Sequence, residues 1–68
     1  MANLDKDTQI EYVCYELVGR KGVSYVRNVA NVMYDVSHGV CILQDAKEQP
    51  VVIIPLLKLL ELCIQYKD

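Results

Sequence analysis

The sequence predicts a small α+β domain with the element order α-α-β-β-α, in which helices pack on a β-hairpin. Three observations lead to this prediction. Apolar residues recur at helical spacing in the segment 9–18, two short apolar runs flank a polar linker between residues 40 and 54, and a proline opens a leucine-rich segment at residue 55. A chain of 68 residues has room for one core, so residues 1–68 are predicted to form a single domain.

The first predicted element is a helix that follows a flexible lead, residues 1–6. Thr8 and Glu11 have the spacing of a capping box, and Gly19 is a natural residue to end the helix. One helical face is formed by the apolar residues at positions i, i+3, i+4, i+7 and i+8, namely Ile10, Val13, Cys14, Leu17 and Val18. The same segment is rich in β-branched and aromatic residues, so a strand over 9–18 stays an open alternative.

A second helix is predicted over most of residues 25–36, with Val26, Val29 and Met33 on one face. A short strand over residues 23–27 is the alternative for its beginning. The helix is predicted to end at Ser37-His38-Gly39, with His38 in the last turn, where a cation meets the negative end of the helix dipole.

The hairpin and the last helix complete the prediction. The runs Val40–Leu43 and Val51–Ile54 do not alternate with polar residues, so both faces of the hairpin should be covered. Pro50 suits a strand start, and Pro55 suits the first position of a helix over 55–66.

The last predicted helix is wider on its apolar side than packing on one core requires. Its polar residues Lys58, Glu61 and Gln65 share one stripe, which leaves an apolar arc of about 220°. The excess indicates a homo-oligomer, most simply a dimer, or an unidentified protein partner. The residues expected at that interface are Leu57, Leu60, Ile64 and Tyr66.

Composition and charge limit the classes of function. Hydrophobic residues make up 53% of the chain, which is too many for a disordered segment, and the net charge of −2 gives no overall attraction to nucleic acid. A local basic group, formed by Arg20, Lys21 and Arg27, has two interpretations: a solvated loop, or a contact to DNA or another anion.

The cysteines indicate a reducing compartment. Cys14, Cys41 and Cys63 are odd in number and form no C-x-x-C pair, so we expect buried, reduced thiols in a cytoplasmic protein. No metal site is expected, because the single histidine, His38, has no cysteine at ligand spacing. We expect no secretory signal and no membrane span, since the longest apolar run, Val51–Leu57, is too short.

No pattern in the chain predicts catalysis or a cofactor. There is no glycine-rich phosphate loop, and neither Ser24 nor Ser37 has a recognisable base nearby. The sequence therefore predicts a protein that is not an enzyme, a small regulator that acts by protein–protein association, of the viral or mobile-element inhibitor type.

The segment Lys47–Leu60 resembles the Phd/YefM antitoxins, in which a charged turn, a proline and four apolar residues precede a Ser or Pro that starts a helix. Upstream, Val23–Asn28 is similar to that family's first strand and basic helix start, so the resemblance covers roughly residues 23–65. It implies a small α/β dimer that grips operator DNA, with Arg27 facing the DNA and Lys21 at most a neighbour. An antitoxin-like transcriptional repressor is therefore the alternative function.

The chain departs from the antitoxin pattern in three places. The span from Ser24 to Val36 is shorter by about one helical turn. The first twenty-two residues have no counterpart, and the sequence ends at Asp68 without the toxin-binding tail.

Overall fold

The computed structural model describes residues 9–67, and within that range the chain forms strands and no α-helix. The predicted α+β class is therefore wrong. The predicted hairpin over residues 40–54 does form, as β4 and β5. The elements are β1 (Ile10–Leu17), β2 (Ser24–Arg27), β3 (Asn31–Asp35), β4 (Val40–Gln44), β5 (Pro50–Pro55), a 3-10 turn (Leu56–Lys58) and β6 (Leu59–Tyr66).

The strands form two antiparallel sheets of three strands each. Sheet A has the order β2-β1-β6, and sheet B has the order β3-β4-β5. The chain passes from sheet A to sheet B between β2 and β3, where Asn28 has a positive φ of 65°. Asn tolerates this left-handed conformation better than most residues, which makes Asn28 a suitable turning point.

A small core joins the two sheets. Its buried residues come from β1, from the β2–β3 link and from two strands of sheet B: Val13, Val29, Cys41, Leu43 and Ile54. Half-buried apolar side chains from both sheets surround it, so the structure is a two-layer arrangement around one hydrophobic centre.

The first predicted helix is a strand because its inward residues follow a period of two. Val13 is a core residue and Tyr15 and Leu17 pack against the core, whereas Cys14 and Glu16 point to the other face. The helical spacing was a coincidence of a segment in which most residues are apolar, and its β-branched and aromatic content decided the outcome.

The second predicted helix is replaced by β2 and β3. The positive φ of Asn28 interrupts any helix that would run through residues 25–36. His38 consequently lies in the β3–β4 turn, close to Asp35, and not at a helix end.

The third predicted helix is replaced by the 3-10 turn and β6. Pro55 has extended backbone angles (φ −62°, ψ 130°) and precedes three 3-10 residues, after which the chain extends again. Leu59, Leu62 and Ile64 then pair with β1 residues on the core side. The long partner strand therefore outweighs the helical preference of a leucine-rich segment. The predicted lead, residues 1–6, and the capping residue Thr8 lie outside the described residues.

Two neighbouring residues of β5 provide a test of this arrangement. Ile54 is buried in the core, whereas Ile53 is 54% exposed on the opposite face. Ile54→Ala should lower the free energy of unfolding by about 2–5 kcal/mol, because it leaves a cavity. Ile53→Ala should lower it by less than about 1 kcal/mol. Urea unfolding of both variants checks this, and equal losses would contradict the assigned strand faces.

Candidate functional site

The outer face of sheet B is apolar across all three strands. Met33, Ile42 and Ile53 are direct cross-strand neighbours, and they point away from the core residues of the same strands. Val40 and Pro55 form the next row on this face. We call these five residues the sheet B face. A solvated face of an antiparallel sheet is usually polar, so this face has the character of a covered surface.

Polar groups border the sheet B face. The row on one side pairs Asn31 with Gln44, and the Asn31 amide donates a 3.0 Å hydrogen bond to Gln44 Oε1. On the other side, Asp35 is the cross-strand partner of Val40. An apolar centre with a polar rim is the usual anatomy of a protein interface.

The interface residues predicted from the sequence do not form one stripe. Leu57, in the 3-10 turn, is 96% exposed, and Leu60 lies at the irregularity in the β1–β6 pairing. Tyr66 ends β6 opposite Ile10, while Ile64 is half-buried and packs against the core. The helical surface that would have united them does not exist, and the role of these four residues in an interface stays a prediction.

The outer face of sheet A carries three rows of polar, aromatic and thiol groups. Tyr12 lies between its partners Arg27 and Gln65, and Cys14 lies between Tyr25 and Cys63; Glu16 faces Glu61. These eight residues are called the sheet A face. Sequence reasoning missed it, although the alternating spacing of Tyr12, Cys14 and Glu16 was the available signal.

Aromatic and cationic groups pack together at one end of the sheet A face. The rings of Tyr12 and Tyr25 meet edge to face with centroids 5.6 Å apart, and the Arg27 guanidinium carbon lies 5.7 Å from the centroid of the Tyr12 ring. Tyr25 is nevertheless 68% exposed. Such contacts hold the three side chains in place and leave the Tyr25 ring available for a partner.

The three basic residues predicted as a DNA or anion contact are not brought together. Arg20 and Lys21 lie in the β1–β2 loop, whereas Arg27 lies at the far end of β2. The length of β2 separates them by roughly 10 Å of extended chain. The DNA contact stays a prediction.

The three cysteines are free thiols in different environments. Cys41 is buried, and burial raises the pKa of its thiol. Cys14 is half-buried, and its thiol pKa is raised first by desolvation and then by the neighbouring Cys63 thiol. Cys63 is exposed, so the prediction that all three cysteines are buried is wrong.

These environments predict an order of thiol labelling. Cys63 should react first with a maleimide at neutral pH, and Cys41 should react only after unfolding, because the thiolate is the attacking species and burial suppresses it. Mass spectrometry of peptides from a labelling time course identifies the order. Fast labelling of Cys41 in the folded protein would contradict the described core.

The β3–β4 turn contains a small polar cluster. Asp35 Oδ1 accepts a 2.8 Å hydrogen bond from Ser37 Oγ, and Asp35 Oδ2 lies 2.8 Å from His38 Nδ1. These contacts, with the Ser37 bond the largest cause, lower the pKa of Asp35. The cluster lies on the surface, and its geometry suits a turn-stabilising role.

The lowered pKa of Asp35 gives a pH prediction. The ionised carboxylate stabilises the turn at pH values above the ordinary Asp pKa, and this contribution is lost as pH falls through the lowered value. Ser37→Ala should move the Asp35 pKa upward. Carboxyl ¹³C NMR titration measures the change, with the Asp45 signal as internal control, and an unchanged Asp35 titration in Ser37→Ala would contradict the described bond.

A cleft with a volume of about 680 Å³ has no arrangement of groups that indicates chemistry. It is lined by ends of both sheets and by the β4–β5 turn, including Asn28, Asp45 and Lys47. One oxygen of the Asp45 carboxylate, Oδ1, already accepts 2.9 Å hydrogen bonds from the backbone amides of Lys47 and Gln49. Within residues 9–67, no group of three His, Cys, Asp or Glu side chains is placed to hold a metal ion.

Comparison with known proteins gives no relative: no family model, no curated protein and no solved structure matches the chain. In the described part of the chain, no helix has the length and apolar character needed to cross a membrane.

Proposed function

We propose that this protein is a small, non-enzymatic regulator that acts by binding another protein, and that the sheet B face is its binding surface. The observation that carries the proposal is the cross-strand row of Met33, Ile42 and Ile53 on the outside of the sheet. We place the protein in the cytoplasm, because its three cysteines are free thiols and the cytoplasm keeps thiols reduced.

The energetic argument rests on the exposure of these side chains. Met33 is 40% exposed and Ile53 is 54% exposed, so a partner can remove substantial apolar area from water. Burial of a fully exposed side chain of this kind contributes about 1.5–3 kcal/mol, so covering the exposed half of each of these two contributes roughly half of that. A contiguous row with polar residues at its border is the kind of patch that marks an interaction site.

One of the two edges of sheet B is protected from strand addition. This edge is β5, and prolines stand at both of its ends, Pro50 and Pro55. Proline lacks the backbone N–H that an added strand would use, and it is a common protection against edge-to-edge pairing. We therefore expect the partner to contribute an apolar surface that stacks on the sheet.

The alternative, an antitoxin-like repressor that binds operator DNA, receives less support. It requires basic residues that act together, and Arg27 is separated from Arg20 and Lys21 by the length of β2. The helix predicted over most of residues 25–36, which a basic helix start at Val23–Asn28 would lead into, is replaced by β2 and β3.

The proposal is tested by two substitutions at residues of nearly equal exposure. Ile53→Lys places a charge in the centre of the sheet B face, whereas Tyr34→Lys changes a residue that is 55% exposed and points to the other side of the sheet, next to Cys41. Affinity capture from cells of the source organism, followed by quantitative mass spectrometry, compares both variants with the native protein.

We expect one partner protein to be captured by the native chain and by Tyr34→Lys, with at least about tenfold less recovered by Ile53→Lys, because central interface residues dominate binding energy. Circular dichroism verifies that both variants are folded. Recovery of the partner that is insensitive to Ile53→Lys would contradict the proposal.

A further inference from the structure

The sheet A face carries opposite charges at its two ends. Arg27 lies in the row of Tyr12, and Glu16 and Glu61 form the row two steps away along β1. Between them lies the uncharged row of Tyr25, Cys14 and Cys63. The two charged rows are about 13 Å apart, since same-face neighbours on a strand are separated by roughly 6.6 Å.

The acidic end of the sheet A face lowers the stability of an isolated subunit. Glu16 and Glu61 are direct cross-strand partners, and like charges in that position destabilise a sheet. Among residues 9–67, the ion pair that the structure contains is His38–Asp35, and neither Glu16, Glu61 nor Arg27 takes part in it. The face thus has charges that a partner of complementary pattern would neutralise.

We propose that the partner on this face is a second copy of the same chain, related by a two-fold axis that runs across the strands at the level of Cys14. This axis stacks the two sheets face to face, and the rows of one subunit then run in the opposite order to the rows of the other. Arg27 then meets the row that contains Glu16 of the partner subunit, and the same contact recurs at the other end. Tyr25 faces Tyr25 of the partner subunit at the centre.

Electrostatic interactions favour this axis over a two-fold axis that runs parallel to the strands. A two-fold axis parallel to the strands would keep the rows in register and would place Glu16 against Glu16 of the partner subunit. Four carboxylates would then lie together, which opposes association. With the axis across the strands, each acidic row gains a guanidinium.

The packing of the face prepares it for such a contact. The Tyr12 ring holds both Tyr25, at 5.6 Å between centroids, and the Arg27 guanidinium, at 5.7 Å. Side chains that are already held in place lose less conformational entropy on binding. Within residues 9–67 the Arg27 guanidinium takes part in no ion pair, so its N–H donors stay available for a carboxylate.

The inference extends the proposed function as an association protein, but it concerns the other side of the molecule. The outer faces of two sheets that share a core point in opposite directions, so a dimer through the sheet A face leaves both sheet B faces free. Such a dimer would present two partner-binding surfaces, which increases avidity for a multivalent partner.

A charge exchange tests the dimer. Sedimentation equilibrium from micromolar to millimolar protein should show the native chain, of 7.8 kDa, in equilibrium with a species of twice that mass. Arg27→Glu and Glu16→Arg should each weaken dimerisation by about tenfold or more, and the double variant Arg27→Glu/Glu16→Arg should restore it, because like-charge contacts become opposite-charge contacts again.

The single variants have internal controls. Glu16→Arg replaces a repulsion with an attraction to Glu61 within the subunit, so a loss of dimer in this variant does not arise from a weakened fold. Arg20→Glu makes the same change as Arg27→Glu in the β1–β2 loop, outside the face, and should leave the dimer intact. Labelling of Cys63 should slow as the native protein becomes more concentrated.

Three results would overturn the inference: a native chain that stays monomeric at millimolar concentration, single variants that still dimerise, or a double variant that does not recover. A dimer that is lost in Ile53→Lys and kept in Arg27→Glu would assign self-association to the sheet B face. Partner capture that depends on Ile53 in a monomeric protein would overturn the dimer and leave the proposed function in place.

Discussion

The pairing of β1 with β6 is the constraint on which the rest of the structure depends. It is the longest ladder in the fold, and backbone hydrogen bonds extend it at both ends, from the Val18 amide to the Lys58 carbonyl and from the Lys67 amide to the Gln9 carbonyl, each 2.8 Å long. Because it joins segments far apart in sequence, it closes a long loop at an entropic cost that the core must offset. The β1–β6 pairing also determines which residues of β6 face the core.

This pairing determines the surfaces as well as the core. Val13 and Ile64 face each other on the inner side, and the alternation of a strand then places Cys14 opposite Cys63 on the outer side. A chain of this size has few residues for the interior, and five of the residues 9–67 are buried hydrophobic core residues. Its apolar content therefore continues onto the outer face of sheet B, where it supports the proposed binding surface, while sheet A presents a patterned, charged face.

The sequence predicted the local features better than the global ones. The β4–β5 hairpin followed from two short apolar runs around a polar linker, and Pro50 does begin β5. The helix predictions failed because segments such as 56–66 are mostly apolar, with eight apolar residues of eleven, so spacing alone did not separate a period of 3.6 from a period of two. The deciding factor was the availability of β1 as a partner strand, which is a long-range property that local propensity does not contain.

The candidate surfaces were also predictable only in part: some exposed residues followed from the sequence, but their arrangement in the sheets did not. The sequence indicated excess apolar surface and an association function, and Leu57 and Leu60 are indeed exposed. It did not indicate that Ile53 and Met33 would lie in one row, because each of them pairs with Ile42 and the predicted order did not contain β3. The opposed glutamates, Glu16 and Glu61, become meaningful only once the β1–β6 register is known.

The most direct measurement of the central claim is nuclear Overhauser spectroscopy of the isotopically labelled protein. If β6 pairs with β1, backbone protons of Leu62 and Ile64 should show cross-strand contacts to Tyr15 and Val13, together with strong sequential contacts between Hα and the next amide. A continuous series of contacts between successive amides from Leu56 to Tyr66, without cross-strand contacts, would indicate a helix and would contradict the account.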